Sequence, residues 1–252
     1  MAGLDWRGAA RSTGLEHRRL AEAHDDAMDI YQRNILPHVL HFAMRQKALV
    51  PMRKRVIDEA RGHVLELGIG SGLNLPFYGN GVTSVTGIEP SSTLLRMAQD
   101  RAADAVVPVE LLAASAERLP LESASVDTVV TTWTLCTIAD AVQALHEARR
   151  VLKPGGALLF VEHGRAPEPG VARWQDRLDR PWGAIAGGCH LNRPIDALIT
   201  LAGFRIERLS HDRMPGPRTH NYLYEGRAVP QWPEHPTPAT TLRSMLARAA
   251  AA

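Results

Sequence analysis

The sequence predicts an α/β fold: a mostly parallel sheet of seven strands between two layers of helices, with an antiparallel edge. Three observations predict it. Short β-rich runs alternate with helical stretches of about 10–15 residues through the middle of the chain, the rhythm of parallel crossovers. A glycine-rich turn at Gly68–Gly72 joins the first run to a helix-like segment. The 252 residues, 45% hydrophobic, suffice for one sizeable core within a prior of one to two domains.

Residues 1–60 read as an N-terminal helical extension. Its first 28 residues are polar and carry Gly3, Gly8 and Gly14. From Asp26 to Ala60 the pattern is helical, and Pro37 and Pro51 are expected to break it into pieces. Ile30, Ile35, Leu36, Val39, Leu40, Phe42 and Met44 are expected to form a buried stripe. Residues 61–227 hold the core domain. Its expected strands are His63–Leu67, Thr83–Ile88, Pro108–Leu112, Val126–Thr131, Ala157–Glu162, Phe204–Leu209 and Asn221–Glu225. Helices are expected at Ser91–Asp104, with Ser91 as N-cap, and at Ala139–Leu152. Pro154-Gly155-Gly156 is a turn signal after the second. The last two strands have no clear helix between them and are expected to pair as an antiparallel edge. Residues 228–252, with Pro230, Pro233, Pro236, Pro238 and an alanine-rich end, read as a linker with a short terminal helix outside the core.

Composition narrows the function. With 29 basic and 27 acidic side chains the formal charge is +2, which argues against a nucleic-acid binder. No apolar run approaches the ~20 residues that span a bilayer, so no integral membrane segment is expected. The first residues mix Arg7, Arg11 and Arg18 with Asp5, Glu16 and Glu22 and lack the apolar region of a signal peptide, so a cytoplasmic location is expected. Cys136 and Cys189 are too few for a disulfide scaffold or a four-cysteine zinc site. Far apart in sequence and without a third, they give no expectation of a metal site.

The informative stretch is Val64-Leu65-Glu66-Leu67-Gly68-Ile69-Gly70-Ser71-Gly72-Leu73-Asn74. Gly68, Gly70 and Gly72 allow a tight turn that a ligand can approach. The following helix start offers free N–H groups. Glu89, nineteen residues after Gly70, ends the next strand, where a carboxylate can accept both hydroxyls of a ribose. Dinucleotides and S-adenosylmethionine both use such a turn. The dinucleotide pattern is G-x-G-x-x-G, whereas Leu73 stands at the third glycine here. Glu66, just before the loop, would repel a pyrophosphate but favour an ammonium and a sulfonium. The charge pattern therefore favours S-adenosyl-L-methionine.

With these residues in view, the chain resembles the class I S-adenosylmethionine-dependent methyltransferases, a Rossmann-like family, over about Val64–Arg227. Glu66–Gly72 looks like the family's first motif, and Gly87-Ile88-Glu89-Pro90-Ser91 like its ribose-binding turn. Ala114-Ser115-Ala116-Glu117-Arg118-Leu119-Pro120 looks like its adenine-side motif, and Val126–Thr132 is similar to its fourth strand. The resemblance implies a donor site made by Glu66, Gly68, Gly70, Gly72, Asn74, Glu89, Pro90, Ser115, Ala116, Glu117 and Thr132. Many members carry Asp where Ser115 stands. A hydroxyl accepts a weaker hydrogen bond, so backbone N–H groups at Ser115–Ala116 are the alternative readers of the ring. More narrowly, Thr131–Thr137, Phe160–Gly164 and Gly187-Gly188-Cys189-His190-Leu191-Asn192-Arg193 resemble the methyltransferase-like thiol S-methyltransferases of animals and their bacterial relatives. Bacterial phospholipid and quinone methyltransferases share part of that pattern. The animal enzymes carry an N-terminal hydrophobic anchor that has no counterpart in this sequence, so a membrane-bound habit is not expected.

Methyl transfer from a sulfonium needs an acceptor aimed at the methyl carbon, exclusion of water and loss of the acceptor's proton. His163, just past the fifth strand, is the candidate base, and it can equally cap the strand end. Cys136 is the second candidate catalytic residue, although a free cysteine is more often a small buried hydrophobe. Glu162 is expected to orient the His163 ring or to face solvent. The stretch around Cys189 and His190 is expected to form a lid, with Trp174, Trp182 and Ile185 as an apolar wall or as packing. Asn74 is expected to contact the donor's amino-acid end or to cap the turn. The expected partner is a small-molecule acceptor, a thiol first and a phospholipid, quinone or other metabolite second; a non-catalytic cofactor-binding module is the third reading.

Overall fold

The computed structural model describes residues 30–231. The polar stretch 1–28 and the expected tail from residue 232 onward lie outside the described residues.

Seven strands form one sheet: β1 (Gly62–Leu67), β2 (Val82–Ile88), β3 (Val109–Leu112), β4 (Val126–Thr132), β5 (Leu152–His163), β6 (Phe204–Arg213) and β7 (Tyr222–Pro230), in the order β3-β2-β1-β4-β5-β7-β6. The first five are mutually parallel. β7 runs antiparallel to both β5 and β6, so the antiparallel strand lies one place in from the edge and β6 forms the rim. The last two strands pair with each other, as expected. Strand order reverses direction on either side of β1, which opens a crevice at the carboxyl ends of β1 and β4.

Both faces of the sheet are covered, which is why β1, β4 and β5 read as apolar runs rather than strict alternations. On one face, Leu65, Leu67, Val129, Leu158 and Phe160 pack under α4 (Ala141–Val151) and α6 (Ile195–Leu201) through Leu145, Ala148, Ile195 and Ile199. On the other, Val64, Val130, Leu159 and Val161 pack under α2 (Val50–Ile57) and α3 (Ser92–Ala103) through Met52, Val56 and Leu95. The remaining helices are α1 (Leu36–Met44), which follows a π-helical turn at Tyr31–Ile35, and α5 (Pro169–Ile185).

Local signals explain the element ends. Ser91 caps α3, its hydroxyl accepting from the Leu94 N–H. Asp140 caps α4 by accepting from the Gln143 N–H at 2.9 Å. The Pro154-Gly155-Gly156 turn sits inside β5: Leu152 pairs with Val126 and Ala157 with Thr128, so the residues between bulge outward, with Gly155 at φ 83°.

Two expectations for the N-terminal extension are corrected. Pro37 and Pro51 do not interrupt helices. They sit in the first turns of α1 and α2, where a missing N–H leaves no bond unmade. The stripe is not buried either. Leu36 is, but Ile30, Ile35, Val39 and Phe42 stand 59%, 51%, 50% and 70% exposed. The reason is that α1 lies across the edge of the sheet instead of on its face.

Candidate active site

The chain leaves β1 at the carboxyl edge through Gly68, Gly70 and Gly72, all left-handed with φ of 62°, 55° and 76°. A Cβ on Gly68 would collide with the Thr134 side chain, whereas a Cβ on Gly70 would meet nothing nearer than the Gly68 carbonyl at 3.9 Å. Gly70 thus faces the crevice. The segment after the loop is shorter than expected: a single 3-10 turn, Leu75–Phe77, with Pro76 inside it. The loop's own N–H groups therefore matter more than a helix dipole. Glu89 ties this loop to the end of β2. Its Oε2 accepts from the Gly70 N–H at 3.2 Å and its Oε1 from the Ser91 N–H at 2.9 Å. Burial raises its pKa, and those two backbone bonds oppose the rise. Pro90 beside it is exposed.

Glu66 stands behind the loop, fully buried. Its Oε1 accepts from Asn74 Nδ2 at 2.7 Å and its Oε2 from the Tyr78 hydroxyl at 2.8 Å. Burial pushes its pKa up to about 7 against the pull of these bonds and of Arg53. Arg53, arriving from α2, donates to Asn74 Oδ1 at 2.8 Å and lies 4.8 Å over the Trp133 ring; burial pushes its pKa down to about 10. Asn74 also donates to Thr132 Oγ1 at 3.0 Å. Asn74 thus links Arg53, Glu66 and Thr132, and does not merely cap the turn. Glu66 is not a bare anion facing the crevice: Asn74 and Tyr78 hold its oxygens, and Arg53 reaches it by hydrogen bonds only through Asn74. Arg53 and Tyr78 escaped the sequence reading because neither lies in a motif.

On the adenine side, Ser115 is exposed and Ala116 buried just past β3. The Ser115 hydroxyl is 3.0 Å from Glu117 Oε2, and Glu117 Oε1 accepts from the Asp140 N–H at 2.7 Å. Glu117 therefore joins this turn to the start of α4.

Past β4, Trp133 adopts φ 51°. A bulky side chain in that region costs about 1–3 kcal/mol and marks an over-determined turn. The buried Glu162 supplies the determination. Its carboxylate accepts from the Thr131 hydroxyl at 2.7 Å and from the Thr134 and Leu135 N–H groups at 3.0 and 3.1 Å. Glu162 thus shapes the loop after β4; it does not face solvent. Cys136 follows that turn and His163 ends β5. Cys189, in the segment after α5, folds back between them: His163 Nε2 is 3.0 Å from Cys189 Sγ, which is 3.8 Å from Cys136 Sγ. All three side chains are buried. Burial alone would lower the His163 pKa, but the bond to Cys189 and the charge of Glu162 turn the shift upward. The contact with Cys136, with burial behind it, pushes the Cys189 pKa up and holds it in its thiol form against the pull of His163. The sequence reading kept the two cysteines apart, and the structure brings them together.

The expected apolar wall is only partly formed. Trp174 and Ile185 are 55% and 56% exposed, while Trp182 is half-buried edge-on to His220, 4.4 Å between centroids. His190 is fixed by Asp179 at 2.8 Å, and its N–H donates to the Cys136 carbonyl at 2.7 Å. Over the crevice runs α1. His41 Nδ1 meets Ser71 Oγ at 2.7 Å, the Arg33 carbonyl accepts from Thr93 Oγ1 at 3.2 Å, and Tyr31 donates to the Ile185 carbonyl at 2.8 Å. The π-helical turn and α1 together thus bridge α3, the glycine loop and α5.

Residues 65–160 match a family described as a methyltransferase domain. This part of the chain is similar to a methyltransferase domain, a likeness that points to S-adenosyl-L-methionine as the donor. The chain is 37% identical over 134 residues to the thiol S-methyltransferase TMT1B of Rattus norvegicus, covering 52% of this chain and 54% of that protein. It is 33% identical over 156 residues to the thiol S-methyltransferase TMT1A of Homo sapiens, covering 60% and 64%. A phosphatidylethanolamine N-methyltransferase of Cereibacter sphaeroides is 32% identical over 131 residues, 48% and 64% of the two chains. The chain therefore spans between about half and two thirds of the length of these relatives. Among solved structures, a methyltransferase of Thermotoga maritima superposes with a TM-score of 0.58 at 23% identity over 81% of this chain and 99% of that one, a likeness of fold. Among the described residues no helix is long and apolar enough to cross a membrane.

Proposed function

We propose that the protein transfers a methyl group from S-adenosyl-L-methionine to a small thiol. The observation that carries the thiol over other acceptors is the likeness to thiol S-methyltransferases at 32–37% identity. In this reading Glu89 receives the ribose, and Gly68, Gly70 and Gly72 admit the methionine part of the donor. The backbone at Ser115–Ala116 faces the adenine. Arg53, held by Asn74 beside Trp133, offers a cation to the donor's carboxylate. On the acceptor side His163 takes the thiol proton. The incoming sulfur displaces Cys189 from its 3.0 Å contact with Nε2, and Cys136 lines the pocket. A thiol near pKa 8.5 needs only this modest help, where an amine or hydroxyl needs more.

A second reading, methylation of a lipid headgroup, is favoured by the likeness to the phosphatidylethanolamine enzyme and by the exposed Ile35, Val39 and Phe42 on the bridge over the crevice. Transfer of labelled methyl from S-adenosyl-L-methionine to hydrosulfide or an alkanethiol, run beside phosphatidylethanolamine vesicles and a phenol, decides between them. Thiol methylation above the enzyme-free background is expected. Lipid or phenol methylation without thiol methylation would overturn the thiol reading.

A further inference from the structure

We propose that Cys136, His163 and Cys189 form a binding site for a thiophilic divalent cation of the zinc class, held by two thiolates and one imidazole. Their ligand atoms all lie within 4.8 Å of one another, and all three side chains are buried. The two sulfurs are 3.8 Å apart. Two thiolates at about 2.3 Å from a tetrahedral ion stand about 3.8 Å apart. His163 already presents Nε2 to Cys189 at 3.0 Å.

The ligands come from three rigid places: the turn after β4, the end of β5 and the segment after α5. Glu162 fixes the turn beneath Cys136, and Arg193 clamps it by donating to the Leu135 and Ile138 carbonyls. The His190 N–H ties the Cys189 segment to the Cys136 carbonyl. A dication with two thiolates and a neutral imidazole is electrically neutral, so it suits a buried cluster where two uncompensated thiolates would not. Binding displaces the thiol protons of Cys136 and Cys189, two in all, to solvent. Among the described residues no fourth side chain completes the tetrahedron, the ligand count of sites that keep one position for a non-protein ligand.

The site goes beyond the proposed function and stands whatever the acceptor is. Only one further step rests on the thiol reading: a thiol entering the fourth position forms a metal–sulfur bond and releases its proton to solvent. His163 then serves as ligand, and the ion replaces it as the means of deprotonation.

The test uses the full chain, stripped with a chelator, kept reduced and titrated with Cd2+ alone. Sulfur-to-cadmium charge-transfer absorption should rise and saturate at one equivalent, and Zn2+ should displace the ion. Cys136→Ser and Cys189→Ser should each weaken binding at least about tenfold, and His163→Ala similarly. The double cysteine variant should lose the band while its thermal unfolding shows a folded protein. Absence of a saturable one-to-one phase in the wild type, or the same band in a folded double variant, would overturn the proposal. No methyl transfer is measured, so failure of the acceptor reading leaves this result untouched.

Discussion

Glu66 is a carboxylic acid held at the edge of ionisation by burial, with a pKa of about 7 against 4.5 for an exposed glutamate. A raised carboxyl favours the folded state while protonated and loses that advantage as pH rises through its folded value. Glu66→Gln keeps the shape and removes the titration. Relative to wild type, the variant should gain stability between about pH 5 and about pH 8, read from denaturant midpoints; parallel pH profiles would contradict the buried-acid assignment. Glu89 is different, because its oxygens meet the loop itself. Glu89→Ala should weaken donor binding by about 1.5–3 kcal/mol, measured by calorimetry with adenosylhomocysteine. At this scale the sequence disclosed what lies within a motif. Glu66, Glu89 and the three glycines are read from spacing alone. Arg53 and Tyr78 are not, because an arginine in an amphipathic helix and a tyrosine after a turn look like any others. The contact of Cys136 with Cys189 spans 53 residues and depends on how α5 and its following segment fold back.

The elements were legible where a period or a turn residue dictates them. β1 to β5 fall within a few residues of their expected ends, apart from the start of β5, which takes in the Pro-Gly-Gly bulge. Ser91 caps α3 as its position demands. Pro37 and Pro51 misled because a proline marks a helix start as readily as a break, and only the tertiary path tells which. The stripe on α1 misled because apolar periodicity reports a face, not what covers it. Two expectations belong here. Gly70→Val should abolish donor binding in an otherwise folded protein, since φ 55° resists a branched residue and the side chain would occupy the crevice; calorimetry showing wild-type affinity would refute this. Leu145 on α4 is wholly buried under the sheet, and Leu145→Ala should cost about 2–5 kcal/mol in denaturant unfolding with little change in donor affinity.

For the molecule as a whole, strand alternation discloses a parallel sheet but not its order. That order puts the loops after β1, β4 and β5 on one edge, where the glycine turn, Trp133 and His163 converge. The bridge made by α1 across that edge was beyond sequence reasoning, since its attachments to Ser71, Thr93 and Ile185 join distant stretches. Beside those attachments, Arg53 donates to the Met44 carbonyl at 3.0 Å and Leu36 tucks against Gly187, while Val39 and Phe42 turn outward. Under the proposed function, lifting of this segment is the expected step that frees the spent nucleoside, so the tempo of turnover would be set by residues that perform no chemistry.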